Sequence, residues 1–220
     1  MKSFLRDNGL SLVLLASFFA FWVAQACTGH VVENDNRREH GQPAVSMQEY
    51  LRSGHFLSSS AENWESEFLQ MGAYVMLTVF LFQRGSSESK DPDKPGKVDR
   101  DPKASRNKRG APWPVRRGGW VLALYSYSLS LAFILLFLVS LLLHALGSTR
   151  QYNEEQLGHG GDPVSLGEHL ASAHFWFESF QNWQSEFLAI GSMVILSIFL
   201  RQRGSPESKP VDAPHHETGA

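Results

Sequence analysis

The sequence predicts an all-α membrane protein with four transmembrane helices, built from two tandem parallel two-span repeats with short interfacial helices in the external loops. Three observations support this fold class: four apolar runs, an internal repeat, and an uneven distribution of lysine and arginine. The average composition, with 43% hydrophobic and 19% charged residues, hides this contrast because very polar stretches separate the apolar runs.

Two apolar runs are long enough to cross a bilayer by themselves. Residues 10–27 carry no charge, and residues 120–146 contain His144 as their only ionisable group apart from tyrosines. A helix that rises about 1.5 Å per residue needs about 20 residues to cross about 30 Å of hydrocarbon. We therefore predict spans at about 10–27 and about 119–147.

The first span has an alternative interpretation as a cleaved signal peptide. Lys2 and Arg6 precede the apolar run, and the run ends in Ala24-Gln25-Ala26, which resembles a signal-peptidase site just before Cys27. The repeat described below favours a retained helix, since its counterpart in the second half is internal. We expect the segment to stay attached.

Two shorter apolar runs, 68–82 and 187–200, reach the required length only by extending upstream to Trp64 and Trp183. An amphipathic indole is favoured at the membrane interface. The alternative is a pair of buried core helices in a soluble domain. We prefer spans at about 64–83 and about 183–202, because the sequence offers no amphipathic segments to cover such core helices.

An internal repeat sets the domain organisation. Residues 34–90 align without a gap with residues 153–209, and 29 of 57 positions are identical. Each unit contains two spans, so both units enter the membrane in the same sense, as parallel repeats related by a pseudo-two-fold axis. The predicted divisions are repeat 1 (1–84), a cytoplasmic linker (85–117), repeat 2 (118–204) and a tail (205–220).

The basic residues predict the orientation. The N-terminus holds two, residues 84–117 hold eleven and the tail from Arg201 holds three, whereas the loops 28–67 and 148–186 hold three and one. Cytoplasmic segments carry the excess of lysine and arginine. The sequence therefore predicts a multi-pass membrane protein with both termini cytoplasmic.

The linker and the tail are expected to be disordered, because they contain too few apolar residues to form a core. The basic segment 106–117 enters the third span, and we consider contact with anionic lipids there. The simpler alternative is that these charges only fix the topology.

Each external loop contains a capping box, Ser46-x-x-Glu49 and Ser165-x-x-Glu168. In this motif the hydroxyl accepts an amide hydrogen bond while the carboxylate reaches back to the cap. The boxes predict short helices over 46–55 and 165–174, lying on the outer membrane surface.

One repeated polar cluster is the candidate functional site: Asn63, Glu67, Asn182, Glu186, His55 and His174. Each Asn precedes its Glu by four residues, so the pair shares one helix face. An ionisable residue inside a span is costly and is normally paired or functional. Two carboxylates and two histidines near a pseudo-two-fold axis would suit a divalent cation or a proton relay. The competing interpretation is that these residues only cap and anchor their helices.

The duplicated motifs HGxxxVS, HF, NWxSEFL and RGSxESK resemble a bacterial family of small membrane proteins known only as a domain of unknown function. The resemblance covers the chain outside the linker and implies a multi-pass inner-membrane protein. It carries no catalytic or binding residues to transfer.

Composition and motifs argue against several function classes. One cysteine excludes an intramolecular disulfide framework, and the net charge of −2 gives no support for nucleic-acid binding. No sequence motif supports enzymatic activity, and we predict no cofactor and no metal. Two classes remain: a structural or interaction protein of the cell envelope, whose partner is the lipid bilayer, and a small ion-binding or permeation module at Glu67 and Glu186. Either is compatible with a homo-oligomer.

Overall fold

A computed structural model describes residues 2–219, and every regular element within that range is helical, which confirms the all-α prediction. The helices are α1 (Lys2–Glu39), α2 (Met47–Tyr50), α3 (Gly54–Phe80), α4 (Trp113–Arg117), α5 (Gly119–Ser126), α6 (Ser128–Gly158), α7 (Leu166–Leu170) and α8 (Ala173–Phe199), with 3-10 helices at Lys97–Asp99 and Pro102–Ser105. Two compact units form. The first contains the chain up to Asn63 with Ser140–Trp176, and the second contains Trp64–Val139 with the chain from Phe177.

Two helices are long and apolar enough to cross a membrane, namely Phe4–Glu39 within α1 and Ser128–Gly158, which is α6. In each helix we consider the 18 consecutive residues that are most apolar. None of these residues is buried in the first helix, and 17% of them are buried in the second. A core helix of a soluble domain buries its apolar surface, whereas these helices expose it. They are compatible with a membrane protein.

The predicted span at 119–147 is divided into two helices. Helix α5 ends at Ser126 and α6 begins at Ser128, with Tyr127 at φ −114° and ψ 8° between them. The Ser126 hydroxyl donates to the carbonyl of Leu122, and the Ser128 hydroxyl donates to that of Tyr125. Serine hydroxyls that bond to the preceding turn compete with the backbone ladder and bend helices.

Both capping boxes form as predicted, but the helices that they start are shorter than predicted. Glu49 and Glu168 accept hydrogen bonds from the backbone amides of Ser46 and Ser165, respectively, each at 2.7 Å. Helix α2 nevertheless ends at Tyr50 and α7 at Leu170, so His55 and His174 belong to the following long helices.

A second pair of serines explains where those long helices begin. The Ser53 hydroxyl accepts the amide of Phe56 at 3.2 Å, and the Ser172 hydroxyl accepts that of Phe175 at 3.3 Å. A serine that accepts an amide three residues ahead satisfies one of the free donors of a helix N-terminus. New helices therefore start after these serines, close behind the capping boxes.

In the first unit, small residues allow close approach of α3 and α6. A Cβ placed on Gly147 would lie 2.5 Å from the Ser58 nitrogen, and one on Gly54 would lie 2.5 Å from the Gln151 nitrogen. On α1, Trp22 donates to the Ser60 hydroxyl and Gln25 to the Ser59 hydroxyl, at 3.2 and 3.4 Å. Close backbone approach over glycine and serine is typical of helix contacts in membranes.

In the second unit, aromatic rings pack between the helices. Phe68 lies 6.5 Å from Phe133, and Phe137 lies 6.2 Å from Trp183, measured between ring centroids. A Cβ on Gly72 would lie 3.3 Å from that of Phe133, so α3 and α6 also approach closely here.

The repeated RGSxESK motif forms a turn after α3 and again after α8. The amide of Gln83 donates to the Ser89 hydroxyl, and the amide of Gln202 donates to the Ser208 hydroxyl, both at 2.9 Å. These bonds hold the motif in the same local turn three residues beyond each helix, so the motif has a structural explanation.

Short helical elements occur within the predicted linker, and the predicted tail contains internal hydrogen bonds. The linker contains the two 3-10 helices and α4, while Lys90 pairs with Asp99 at 2.8 Å. In the tail, the buried Lys209 ammonium donates to the carbonyls of Pro214, His215 and Glu217. The disorder of 85–117 and 205–220 in solution stays a prediction.

Candidate functional site

A polar cleft in the first unit lies where α1 and α6 end. Each helix ends in its own turn, and the two turns are of the same type, with Gly41 at φ +68° and Gly160 at φ +76°. The backbone amide of Gly41 donates to the Arg38 carbonyl, and that of Gln42 donates to the Arg37 carbonyl. This pair of bonds is the Schellman pattern of a helix C-terminus. Corresponding bonds run from Gly160 and Gly161 to Leu157 and Gln156.

The histidine before each of these glycines is held by its own helix. The Nδ1 atom of His40 lies 2.8 Å from the Asn36 carbonyl, and that of His159 lies 2.8 Å from the Glu155 carbonyl. A carbonyl only accepts, so each Nδ1 carries the proton and donates it. In the neutral ring, the Nε2 atom then keeps its lone pair. The two rings lie 6.3 Å apart, edge to face.

The cleft between these helix ends has a volume of about 470 Å³ and is lined mainly by polar and charged residues. Its charged lining groups are three carboxylates and one guanidinium. The lining residues are Glu33, Asn36, Arg37, His40, Gln42, His55, Gln151, Glu154, Glu155, Gly158 and His159.

Two of the wall carboxylates are paired within their own helices. Glu33 lies 3.6 Å from Arg37 on α1, and Glu154 lies 2.9 Å from Arg150 on α6. The third carboxylate, Glu155, accepts a hydrogen bond from the Gln151 amide at 3.2 Å.

The loop segment that follows each helix end is held by hydrogen bonds to an asparagine side chain. The Asn34 amide group exchanges two hydrogen bonds with the backbone of Val45, at 2.7 and 3.1 Å. Asn153 makes the same pair of bonds to Val164, at 2.8 and 2.9 Å. The side-chain amides of Asn34 and Asn153 therefore supply the hydrogen-bond partners that another backbone segment would otherwise provide. These bonds hold the loops that carry the capping boxes.

Equivalent buried positions under the two loops hold different side chains. Tyr50 is buried with its hydroxyl directly against Gly29, and its pKa is raised by burial and by the nearby charge of Glu33. At the positions 119 residues later, the Ser148 hydroxyl and the His169 Nε2 atom form a hydrogen bond of 2.8 Å. The larger Tyr with Gly and the smaller His with Ser fill comparable space.

Of the predicted site residues, only His55 lines the cleft. Its Nδ1 atom is buried and has no hydrogen-bond partner among residues 2–219, and its ring lies 5.8 Å from that of Tyr50. His174 is exposed, and its ring lies 5.6 Å from Tyr152 and 6.0 Å from His169.

The other four predicted site residues lie on α3 and α8. Asn63 and Asn182 each donate to the carbonyl four residues earlier, at 2.7 and 3.2 Å. Glu67 is exposed and Glu186 is half-buried, and they are near enough for their charges to interact. Within residues 2–219 neither carboxylate accepts a hydrogen bond, while the Glu186 carbonyl accepts one from Gln70 at 2.8 Å. Their role as a functional site stays a prediction.

The buried carboxylate of the NWxSE motif is Glu65, which sequence reasoning missed. Glu65 is fully buried on α3, and its Oε1 atom accepts the Trp183 indole N–H at 2.9 Å. The helical period carries a usable signal, since Ser58, Ala61 and Glu65 share one face and are all buried.

Cleft and helices together describe an all-helical protein with two helices able to cross a membrane and a histidine-lined polar cleft in its first unit. The family model described as "Domain of unknown function (DUF6766)" matches residues 1–220, and the chain belongs to that family. Neither a curated protein nor a solved structure matches the sequence. The predicted resemblance to a domain of unknown function is confirmed, while the bacterial origin stays a prediction.

Proposed function

We propose that this chain is an integral membrane protein of the cell envelope that acts as a structural or interaction protein. The observation that carries the proposal is the exposed apolar surface of α1 and α6. Large apolar faces on a monomer need lipid or a partner to cover them. The long helices are the size of membrane spans, so lipid is the partner that we propose.

We further propose that α3 and α8 complete a four-span bundle. Each has 27 residues and is therefore about 40 Å long, more than the hydrocarbon thickness of about 30 Å. Their first halves mix polar and aromatic residues, and their second halves are the apolar runs. The proposed membrane boundary lies near Trp64 and Trp183, which leaves the N-terminal turns of both helices outside.

The contacts that recur 119 residues apart support two tandem parallel repeats. The asparagine hydrogen bonds to the loops, the capping boxes and the Schellman turns match in partner and in distance. Under the positive-inside rule these loops face outwards and both termini are cytoplasmic. The cleft then opens on the outer side of the inner membrane.

The basic segment 106–117 is proposed to contact anionic lipids on the cytoplasmic side. Helix α4 ends with Arg116 and Arg117, and Arg106 donates to the Arg116 carbonyl at 2.9 Å. Each basic residue near an anionic surface contributes about 1 kcal/mol to binding.

Reporter fusions test the topology. A reporter that is active only in the cytoplasm is expected to work after residue 100, and one that is active only outside is expected to work after residues 42 and 160. A fusion after residue 100 that reads external, or fusions after 42 and 160 that read cytoplasmic, would contradict the proposed orientation.

A further inference from the structure

We propose that the cleft binds a divalent transition-metal ion of the Zn²⁺ type, held by the Nε2 atoms of His40 and His159. The proposal deepens the proposed function by giving the outward-facing loops a ligand. It concerns side chains of the first unit alone, and it is tested on purified protein, so it does not depend on the topology.

The separation of the two rings suits one shared ion. Two imidazoles at Zn–N distances of about 2.0–2.1 Å have ring centres about 5 to 6 Å apart. The centroids of His40 and His159 lie 6.3 Å apart, close to that range, and both side chains are exposed.

The hydrogen bonds of both histidines prepare them as ligands. Metal-binding imidazoles usually donate their second ring N–H to a carbonyl or carboxylate, which fixes the tautomer and the ring orientation. His40 and His159 make this bond from Nδ1 to the carbonyl four residues earlier. A role as helix caps would explain the Nδ1 bonds, but it would not require both rings to line one cleft.

The charge around the cleft favours a cation. Each helix C-terminus carries about half a negative charge, and both α1 and α6 end there. The wall adds the carboxylates of Glu33, Glu154 and Glu155, of which Glu33 is paired with Arg37 and Glu154 with Arg150. Imidazole donors in an acidic setting select a transition metal rather than Mg²⁺ or Ca²⁺, which prefer an all-oxygen shell.

Zn²⁺ titration of the full chain in detergent tests the site. The protein is purified with a tag that contains no histidine, and binding is followed by calorimetry for wild type and His40→Ala/His159→Ala. We expect one Zn²⁺ per wild-type chain. The double variant should lose more than about tenfold in affinity, the low end of the cost of removing even an outer-shell partner.

Two further variants make the result decisive. His215→Ala/His216→Ala removes the adjacent histidines of the tail and is expected to bind Zn²⁺ like wild type. His40→Asn/His159→Asn keeps a residue suited to a helix C-terminus and serves if the alanine variant unfolds. Absent binding by wild type, unchanged binding by the folded cleft variants, or loss in the tail variant would each overturn the proposal. Reporter topology is read separately, so failure of the metal site and failure of the membrane orientation are distinguishable.

Discussion

The contact between α3 and α6 is expected to fail when Gly147 gains a single methyl group. The new Cβ would lie 2.5 Å from the Ser58 nitrogen and 2.9 Å from its Cα, and the Leu57 carbonyl carbon would be 3.0 Å away. All three atoms belong to the backbone, so no side-chain rotation relieves the overlap. Overpacking costs about 1–3 kcal/mol, and a backbone clash belongs at about 3 kcal/mol. Replacing glycine by alanine within a helix raises the free energy of unfolding by about 0.5–1 kcal/mol.

Gly147→Ala should therefore lose about 2 kcal/mol, which is about thirtyfold in the unfolding equilibrium when 1.4 kcal/mol is tenfold. In a chain of this size that loss lowers the melting temperature by about 4–8 °C. Thermal unfolding in detergent, followed by far-ultraviolet circular dichroism, measures the shift.

Gly191→Ala is the matched control. Gly191 lies inside α8, and a Cβ there would meet no atom within 4 Å. This variant should be as stable as wild type or more stable by about 0.5–1 kcal/mol, from helix propensity alone. A Gly147→Ala protein that melts at or above the temperature of Gly191→Ala would refute the close helix contact.

Two further predictions concern the loops. Gly29→Ser should destabilise the first unit, because the new side chain meets the Tyr50 hydroxyl, and adding Tyr50→His should restore stability by recreating the pair formed by Ser148 and His169. Thermal unfolding of the single and double variants measures this; a double variant no more stable than Gly29→Ser would contradict the equivalence. Hydrogen bonds from Ser165 hold the pKa of Glu168 below its ordinary 4.5. Its contribution to stability is therefore complete above pH 4.5 and is lost as the pH falls through the lower folded value. In melting curves recorded over a pH series, the melting temperature of Glu168→Gln should fall less than that of wild type across that acidic range. Equal slopes of melting temperature against pH for the two proteins would count against the capping box.

The features that sequence reasoning predicted are those that depend on local chemistry. The serine–glutamate boxes form because donor and acceptor lie three residues apart, and the two long apolar helices follow from unbroken runs of apolar residues. The predicted ends of α2 and α7 were wrong because Ser53 and Ser172 start new helices. The sequence does contain the signal for this, namely a serine three residues before an apolar residue.

The parts that sequence reasoning missed depend on contacts between distant segments. Glu65 occupies the variable position of NWxSE, so the comparison of the two repeats passed over it, yet it is the buried carboxylate that accepts the Trp183 indole. The cleft joins residues more than 100 positions apart, and His40 was noticed only as part of a repeated motif. Periodicity and spacing along one helix do not report which helix ends meet.

Positions 119 residues apart use the same residue at some sites and different residues at others. Where the two halves must satisfy backbone groups they use the same residue, as with Asn34 and Asn153. Positions that fill space are mixed, since Tyr50 is matched by His169 whereas Phe56 and Phe175 are identical. His40 and His159 are identical although a helix C-terminus before glycine accepts many residue types. Each imidazole also satisfies a backbone carbonyl of its own helix end, so a capping role accounts for the identity as well, and the Zn²⁺ titration of the His40 and His159 variants separates capping from metal binding.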